Sequence, residues 1–262
     1  MPTKTICFAN NKGGSGKSTT CANVGYALAS LGKKVLLIDG DMQMNLTLSF
    51  FDDERALAFA KSEANLYRAV VEQKDLTDFV VATGYKGLDL IPSSTLMSNI
   101  EFDLFSKWQR ELILRRGLAK IKESEKYDYI LIDAPPTLGC WVMNIMCAAD
   151  YLVIPVEASP WGLFGLANMF EFYEKSKTIA PDLSLLGIAV TKADERKNYF
   201  KETIEYLSDL ENVRLFDTVI RVDSAVERSQ DVSKPVMVYK KSSRAAAEYM
   251  ELAKEIKKYV AR

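Results

Sequence analysis

The chain contains no histidine. That absence removes Ser-His-Asp hydrolysis, Cys-His proteolysis, histidine-ligated zinc and histidine general bases. Any chemistry has to run on carboxylates, lysines, backbone amides and a hydrated metal. Cysteine is scarce: Cys7, Cys21, Cys140 and Cys147 sit in apolar or helical stretches without the paired spacing of a zinc site. They read as small buried hydrophobes of a reducing, cytosolic protein. No apolar run approaches the roughly 18 residues that span a bilayer, and no signal peptide opens the chain. A soluble intracellular protein is expected. Neither sign of charge is in excess, with 34 basic residues against 35 acidic, so no global field selects nucleic acid or membrane. The 262 residues suffice for a sizeable core within a single domain over 1–262.

What is present is a phosphate loop. Lys12-Gly13-Gly14-Ser15-Gly16-Lys17-Ser18-Thr19 follows an apolar strand-like run and precedes a helical pattern. A glycine-rich turn opening a helix leaves backbone N–H groups free, and a polyphosphate is the anion that fits them. In this reading Lys17 neutralises the outer phosphates and the Ser18 hydroxyl ligates Mg²⁺. The usual fingerprint wants a glycine where this chain has Asn11; the glycines crowd into Gly13-Gly14 and an additional lysine, Lys12, stands in front.

Apolar runs at Thr5–Ala9, Lys34–Asp39, Leu88–Pro92, Tyr129–Asp133, Tyr151–Val156, Leu185–Thr191, Thr218–Ile220 and Val236–Tyr239 read as strands. Helical periodicity covers Lys17–Leu31, Lys107–Lys122, Leu138–Ala148, Trp161–Lys177, Arg196–Leu210 and Ser242–Val260. The stretch from Phe51 to Lys86 is irregular and predicts short helices. Alternation of this kind predicts an α/β fold: one doubly wound, mostly parallel sheet flanked by helices, with ligands beyond the carboxyl ends of the strands.

Those strand ends carry carboxylates. Asp39 and Asp41 point the same way at i and i+2. Asp41 is placed to position or activate a water and Asp39 to hold a metal's hydration shell, although aspartates capping a turn fit the same spacing. Asp133 ends a long apolar strand, as the Mg²⁺-holding aspartate of P-loop nucleotidases does. Thr191-Lys192-Ala193-Asp194 resembles a guanine-reading segment, with Asp194 as the base contact. A capped helix start explains it equally well, and GTP stays open beside ATP. Between residues 221 and 244, six basic residues (Arg221, Arg228, Lys234, Lys240, Lys241, Arg244) face three acidic ones. They read as a solvated face or as a patch for DNA phosphates that binds without sequence preference. The last helix carries Tyr249, Leu252, Ile256 and Tyr259/Val260 on one stripe, which suits core packing better than a membrane surface.

The octet, Asp39-Gly-Asp41-Met-Gln-Met-Asn45, Asp133-Ala-Pro-Pro-Thr-Leu-Gly139 and the block from Lys234-Pro-Val through Ser243-Arg244 to Glu255 together resemble the ParA/MinD family of deviant Walker-A ATPases, nearest its ParA/Soj-type partition members. The resemblance covers essentially the whole chain. It implies an Mg-ATP-bound sandwich homodimer in which residues 12–19 hold ATP and Lys12 reaches the partner's phosphates. Asp41 would assist water attack, and Ser18, Asp133 and water would hold Mg²⁺. It further implies non-specific DNA binding near the C-terminal part, with Arg221, Arg228, Lys241 and Arg244 as candidates, release stimulated by a ParB-type partner, and a cytoplasmic, nucleoid-associated location. Met42 and Met44 depart from the family's Pro and Gly, and Val219-Ile220-Arg221-Val222 keeps only the arginine of its adenine-contacting segment. A MinD-like membrane cycle, a guanine-reading GTPase and a cysteine-bridged redox carrier are the alternatives.

Overall fold

A computed structural model describes residues 2–159 and 161–260. Seven strands form one sheet: β1 (Lys4–Phe8), β2 (Val35–Asp39), β3 (Val81–Ala82), β4 (Leu88–Ile91), β5 (Tyr129–Asp133), β6 (Tyr151–Glu157) and β7 (Ser184–Thr191). Their order is β3-β4-β2-β5-β1-β6-β7, parallel throughout except for the two-residue edge strand β3. β2 and β5 are buried at every position, which is why they read as unbroken apolar runs instead of alternating ones. Separate apolar cores fill the two faces, one around Leu114, Ile132 and Ile145, the other around Leu28, Leu37 and Leu252.

Register places the chemistry. Phe8 pairs with Asp133 across β1–β5, and Asp39 pairs with Asp133 across β2–β5. The carboxyl ends of the three central strands are therefore flush, and the loop after β1 emerges beside two aspartates. The backbones are close enough that Gly40 admits no side chain: a Cβ there would lie 2.6 Å from the Asp133 carbonyl.

Two expected strands are not strands of the sheet. Val236–Tyr239 forms a short helix after Pro235, whose fixed φ suits a helix start. Thr218–Ile220 lies beside β7 and meets it through hydrogen bonds such as Ile220 N–H to Val190 O, flanked by the isolated bridges Ile188–Leu215 and Ala193–Arg221. The helix expected over Lys107–Lys122 is broken into a 3-10 turn (Arg110–Leu112) and short helices at Ile113–Gly117 and Ala119–Glu123. Helices at Lys17–Ser30, Cys140–Ala148, Leu166–Lys177, Asn198–Ser208 and Arg244–Val260 lie within a few residues of expectation, and the 51–86 stretch does form short helices. The apolar stripe of the last helix is spent on the core: Tyr249, Leu252, Ile256 and Val260 are all buried.

Candidate nucleotide site

A cavity of about 950 Å³ opens over the carboxyl end of the sheet, floored by Gly13, Gly14 and Gly16 to Thr19 and walled by Asp41 and by the segment 220–233. The loop under it is shaped from both sides. Asn10 donates from Nδ2 to the Pro155 carbonyl (2.7 Å) and accepts the Lys12 N–H on Oδ1 (2.9 Å). Thr191 Oγ1 donates to the Ser15 carbonyl at 2.9 Å. Gly14 and Gly16 adopt φ of 77° and 83°, the left-handed region that favours glycine, and Gly16 caps the first helix so that its N-terminal N–H groups face the cavity.

The two loop lysines part company. Lys17 is 6% exposed and turns back into the loop, donating to the Lys12 carbonyl at 3.0 Å. Burial pushes its ammonium below the usual lysine range, against the pull of Asp133 and Asp41. Lys12 does not line the cavity. Its ammonium donates to Glu157 Oε2 at 2.6 Å and to Ser159 Oγ at 3.1 Å, beyond the end of β6.

The carboxylates also divide. Asp39 is fully buried and engaged: Oδ2 accepts from Thr47 N (2.7 Å) and Thr47 Oγ1 (2.6 Å), and Oδ1 from Asp41 N (3.2 Å). Burial raises it to about 7 despite these donors. Asp39 thus anchors the segment after β2 instead of facing the cavity as the sequence suggested. Thr47 extends the anchor to β4, accepting the Ser93 N–H, while Ser93 Oγ donates to the Asp41 carbonyl. Asp41 lines the cavity, with Oδ1 accepting the Gln43 N–H at 3.0 Å. Asp133 is wholly buried with neither oxygen in a hydrogen bond of good geometry. Burial and then the Asp39 carboxylate hold it well above the usual range, opposed by the Ser18 hydroxyl and Lys17.

Two orphaned carboxylate oxygens beside a serine hydroxyl are a fit for a hydrated cation. Among the described residues no cluster of three or more His, Cys, Asp or Glu could hold a metal alone. That suits Mg²⁺, which keeps waters and borrows phosphate oxygens, better than an ion caged by protein.

The departures from the family pattern have structural accounts. Met44 stands at φ 57°, the left-handed conformation that costs a non-glycine residue on the order of 1 kcal/mol. Its side chain is buried against Ala56, Ala60 and Leu48, offsetting that cost. Asp194 does not line the cavity; Arg196 holds both its oxygens at 2.8 Å. Thr191 of the same segment supports the loop. Of the basic candidates, Arg221 is tied to Glu248 (2.5 Å) and Glu195 (3.1 Å), and Arg244 donates to the Val222 carbonyl at 2.6 Å and sits 3.7 Å from Glu248. Arg228 and Lys241 are exposed and make no ion pair among the described residues.

Sequence reasoning missed Glu157, Ser159, Thr47, Ser93 and Gln230. Glu157 had a signal, as a carboxylate ending an apolar strand.

A strand–glycine loop–helix with buried aspartates on the adjoining strand ends defines a P-loop nucleotide-binding protein. Residues 3–185 match the family model described as "AAA domain". The chain is 35% identical over 254 residues to the sporulation initiation inhibitor protein Soj of Bacillus subtilis, covering 97% of this chain and 98% of Soj. It is 30% identical over 256 residues to the chromosome partitioning protein ParA of Caulobacter vibrioides, covering 97% and 94%. A solved structure of cobyrinic acid a,c-diamide synthase from Mycobacterium smegmatis, with an ATP analogue and magnesium, superposes with a TM-score of 0.84 at 26% identity over 99% of this chain and 96% of that one. The chain belongs to the ParA/Soj family of partition ATPases.

Proposed function

We propose that this chain is a single-domain, ATP-hydrolysing DNA-partition switch, active as an ATP-dependent homodimer. The observation that carries the reading is the division between the two loop lysines. Lys17 serves the cavity of its own subunit. Lys12 lies outside that cavity, in a partly buried ion pair with Glu157. A lysine so placed can reach a phosphate bound by a facing subunit. Residues 12–19 would bind ATP, Asp41 would position the attacking water, and Ser18 and Asp133 would hold Mg²⁺. The metal supplies charge neutralisation on the phosphate oxygens. Lys12 from the partner would complete that neutralisation in the transition state, so hydrolysis depends on dimerisation. Arg228 and Lys241 offer free charge for DNA phosphates, binding without sequence preference, and a ParB-type partner would accelerate release.

The membrane-cycling alternative loses its supporting feature, because the last helix buries its apolar stripe. The guanine reading loses Asp194 to Arg196.

Light scattering and DNA retention with ATP, ADP and no nucleotide across a salt series test the proposal. The expected result is an ATP-dependent doubling of mass with DNA binding that weakens steeply with salt. A monomer in ATP, or co-sedimentation with anionic vesicles in place of DNA, contradicts it.

A further inference from the structure

The wall opposite the phosphate loop includes the helix Ser224–Gln230. Its N-terminus is pinned by Asp223, which accepts the Ala225 N–H on Oδ1 (2.9 Å) and the Ala245 N–H on Oδ2 (3.1 Å). Its C-terminal residue bridges 211 positions of sequence: Gln230 Nε2 donates to Thr19 Oγ1 at 2.9 Å. Thr19 is the third residue of the first helix and lines the cavity floor. A second stitch joins the same surfaces, since Asn23 Oδ1 accepts the Val236 N–H (2.9 Å) while Asn23 Nδ2 donates to the Thr19 carbonyl (2.9 Å).

A threonine hydroxyl has one proton and two lone pairs. When Gln230 fills a lone pair, the rotor is restricted to the remaining directions and the Thr19 proton stays available to an acceptor in the cavity. We propose that Gln230 is a positioning residue for nucleotide binding, acting through Thr19 by directing its hydroxyl proton toward a phosphate oxygen. This rests on the reading that the cavity binds a nucleotide. It also gives the 224–230 helix a reason to close on the phosphate loop, because ligand and helix share one hydroxyl.

Calorimetry with Mg-ADP on the full-length protein tests it. Gln230→Ala should weaken binding about 5-fold, the size of one neutral hydrogen bond. Gln230→Glu, which can only accept, takes the Thr19 proton and adds negative charge beside the phosphates. Its loss should exceed that of Gln230→Ala, on the order of tenfold or more. Gln230→Lys keeps a donor and should bind at least as tightly as the unaltered chain. In a Thr19→Val background, Gln230→Ala should add less than about twofold, because the partner is gone. With ATP turnover, KM should rise by a larger factor than kcat falls. Equal losses in both backgrounds overturn the proposal, as does a Gln230→Glu variant that binds normally or a Gln230→Lys variant as weak as Gln230→Ala. No ADP binding by the unaltered chain would remove the nucleotide reading itself, a separate failure.

Discussion

The two walls of the cavity are made by different physics. The phosphate wall centres on one contiguous loop, whose backbone N–H groups no other element can supply, set against three flush strand ends. The opposite wall, residues 220–233, is assembled from pairings between distant segments, Arg221 with Glu248, Asp223 with Ala245 N–H and Gln230 with Thr19. Lys17, Asp41 and Asp133 of the phosphate wall are buried, and burial moves Lys17 and Asp133 away from their usual ranges. The other is half-exposed, with Arg221 and Asp223 answered by neighbours. The first suits chemistry that must be preorganised, the second a surface that opens and closes.

The largest expected effect separates the lysines of the phosphate wall. Lys12→Ala should lower ATP turnover by at least about 100-fold while nucleotide affinity, read by calorimetry, changes little, because Lys12 lies outside its own cavity. Lys17→Ala should abolish nucleotide binding itself. Asp41→Ala should cost turnover roughly 100-fold and leave an ATP-bound dimer that light scattering can detect. Unaltered turnover in either the Lys12 or the Asp41 variant would dissolve the distinction between the walls.

On the exposed surface outside the cavity, reversing Arg228 and Lys241 to Glu should weaken DNA retention at low salt and reduce the salt slope by about 2. The same change at Arg221 should act mainly through stability, by setting a third carboxylate against Glu248 and Glu195. Equal loss of DNA binding per residue at all four basic positions would contradict the neutralisation seen at Arg221 and Arg244.

Smaller effects probe the anchor behind the phosphate wall. Thr47→Val removes one of the three donors to buried Asp39, leaving the two backbone N–H groups of Thr47 and Asp41, and should destabilise by about 1–3 kcal/mol in thermal melts. Because the folded protein holds the Asp39 carboxyl at about 7, above its ordinary value of 3.8, the native state keeps a proton that the unfolded chain releases in that window. The sign follows: stability of the metal-free protein is greatest below the unfolded value and falls as pH rises toward 7. Asp39→Asn should flatten that slope in melts between pH 5 and about 7.5. An unchanged slope would assign it elsewhere.

This contrast also explains what was legible in the sequence. The loop from Lys12 to Thr19, Asp41, Asp133 and the alternation of strands and helices are written in contiguous residues, and the sheet and family follow from them. Asp39 ends its strand, but its side chain meets Thr47, and nothing in the sequence says that Thr47 will fold back onto it. Val236–Tyr239 has strand composition, yet Pro235 and its burial against the first helix made it helical, a tertiary override of propensity. Asp194 and Arg221 carry the right residue types, and were claimed by Arg196 and Glu248 instead. Pairings of that kind depend on which segments meet, and periodicity does not encode them.

Mixing two inactive variants decides whether Lys12 works on the partner's nucleotide. In a Lys12→Ala/Asp41→Ala mixed dimer, the site on the Lys12→Ala subunit has its own Asp41 and receives Lys12 from the other chain. An equimolar mixture should therefore recover about one quarter of the unaltered turnover, half the dimers being mixed with one working site each. A mixture as inactive as either variant alone would mean that Lys12 acts within its own subunit.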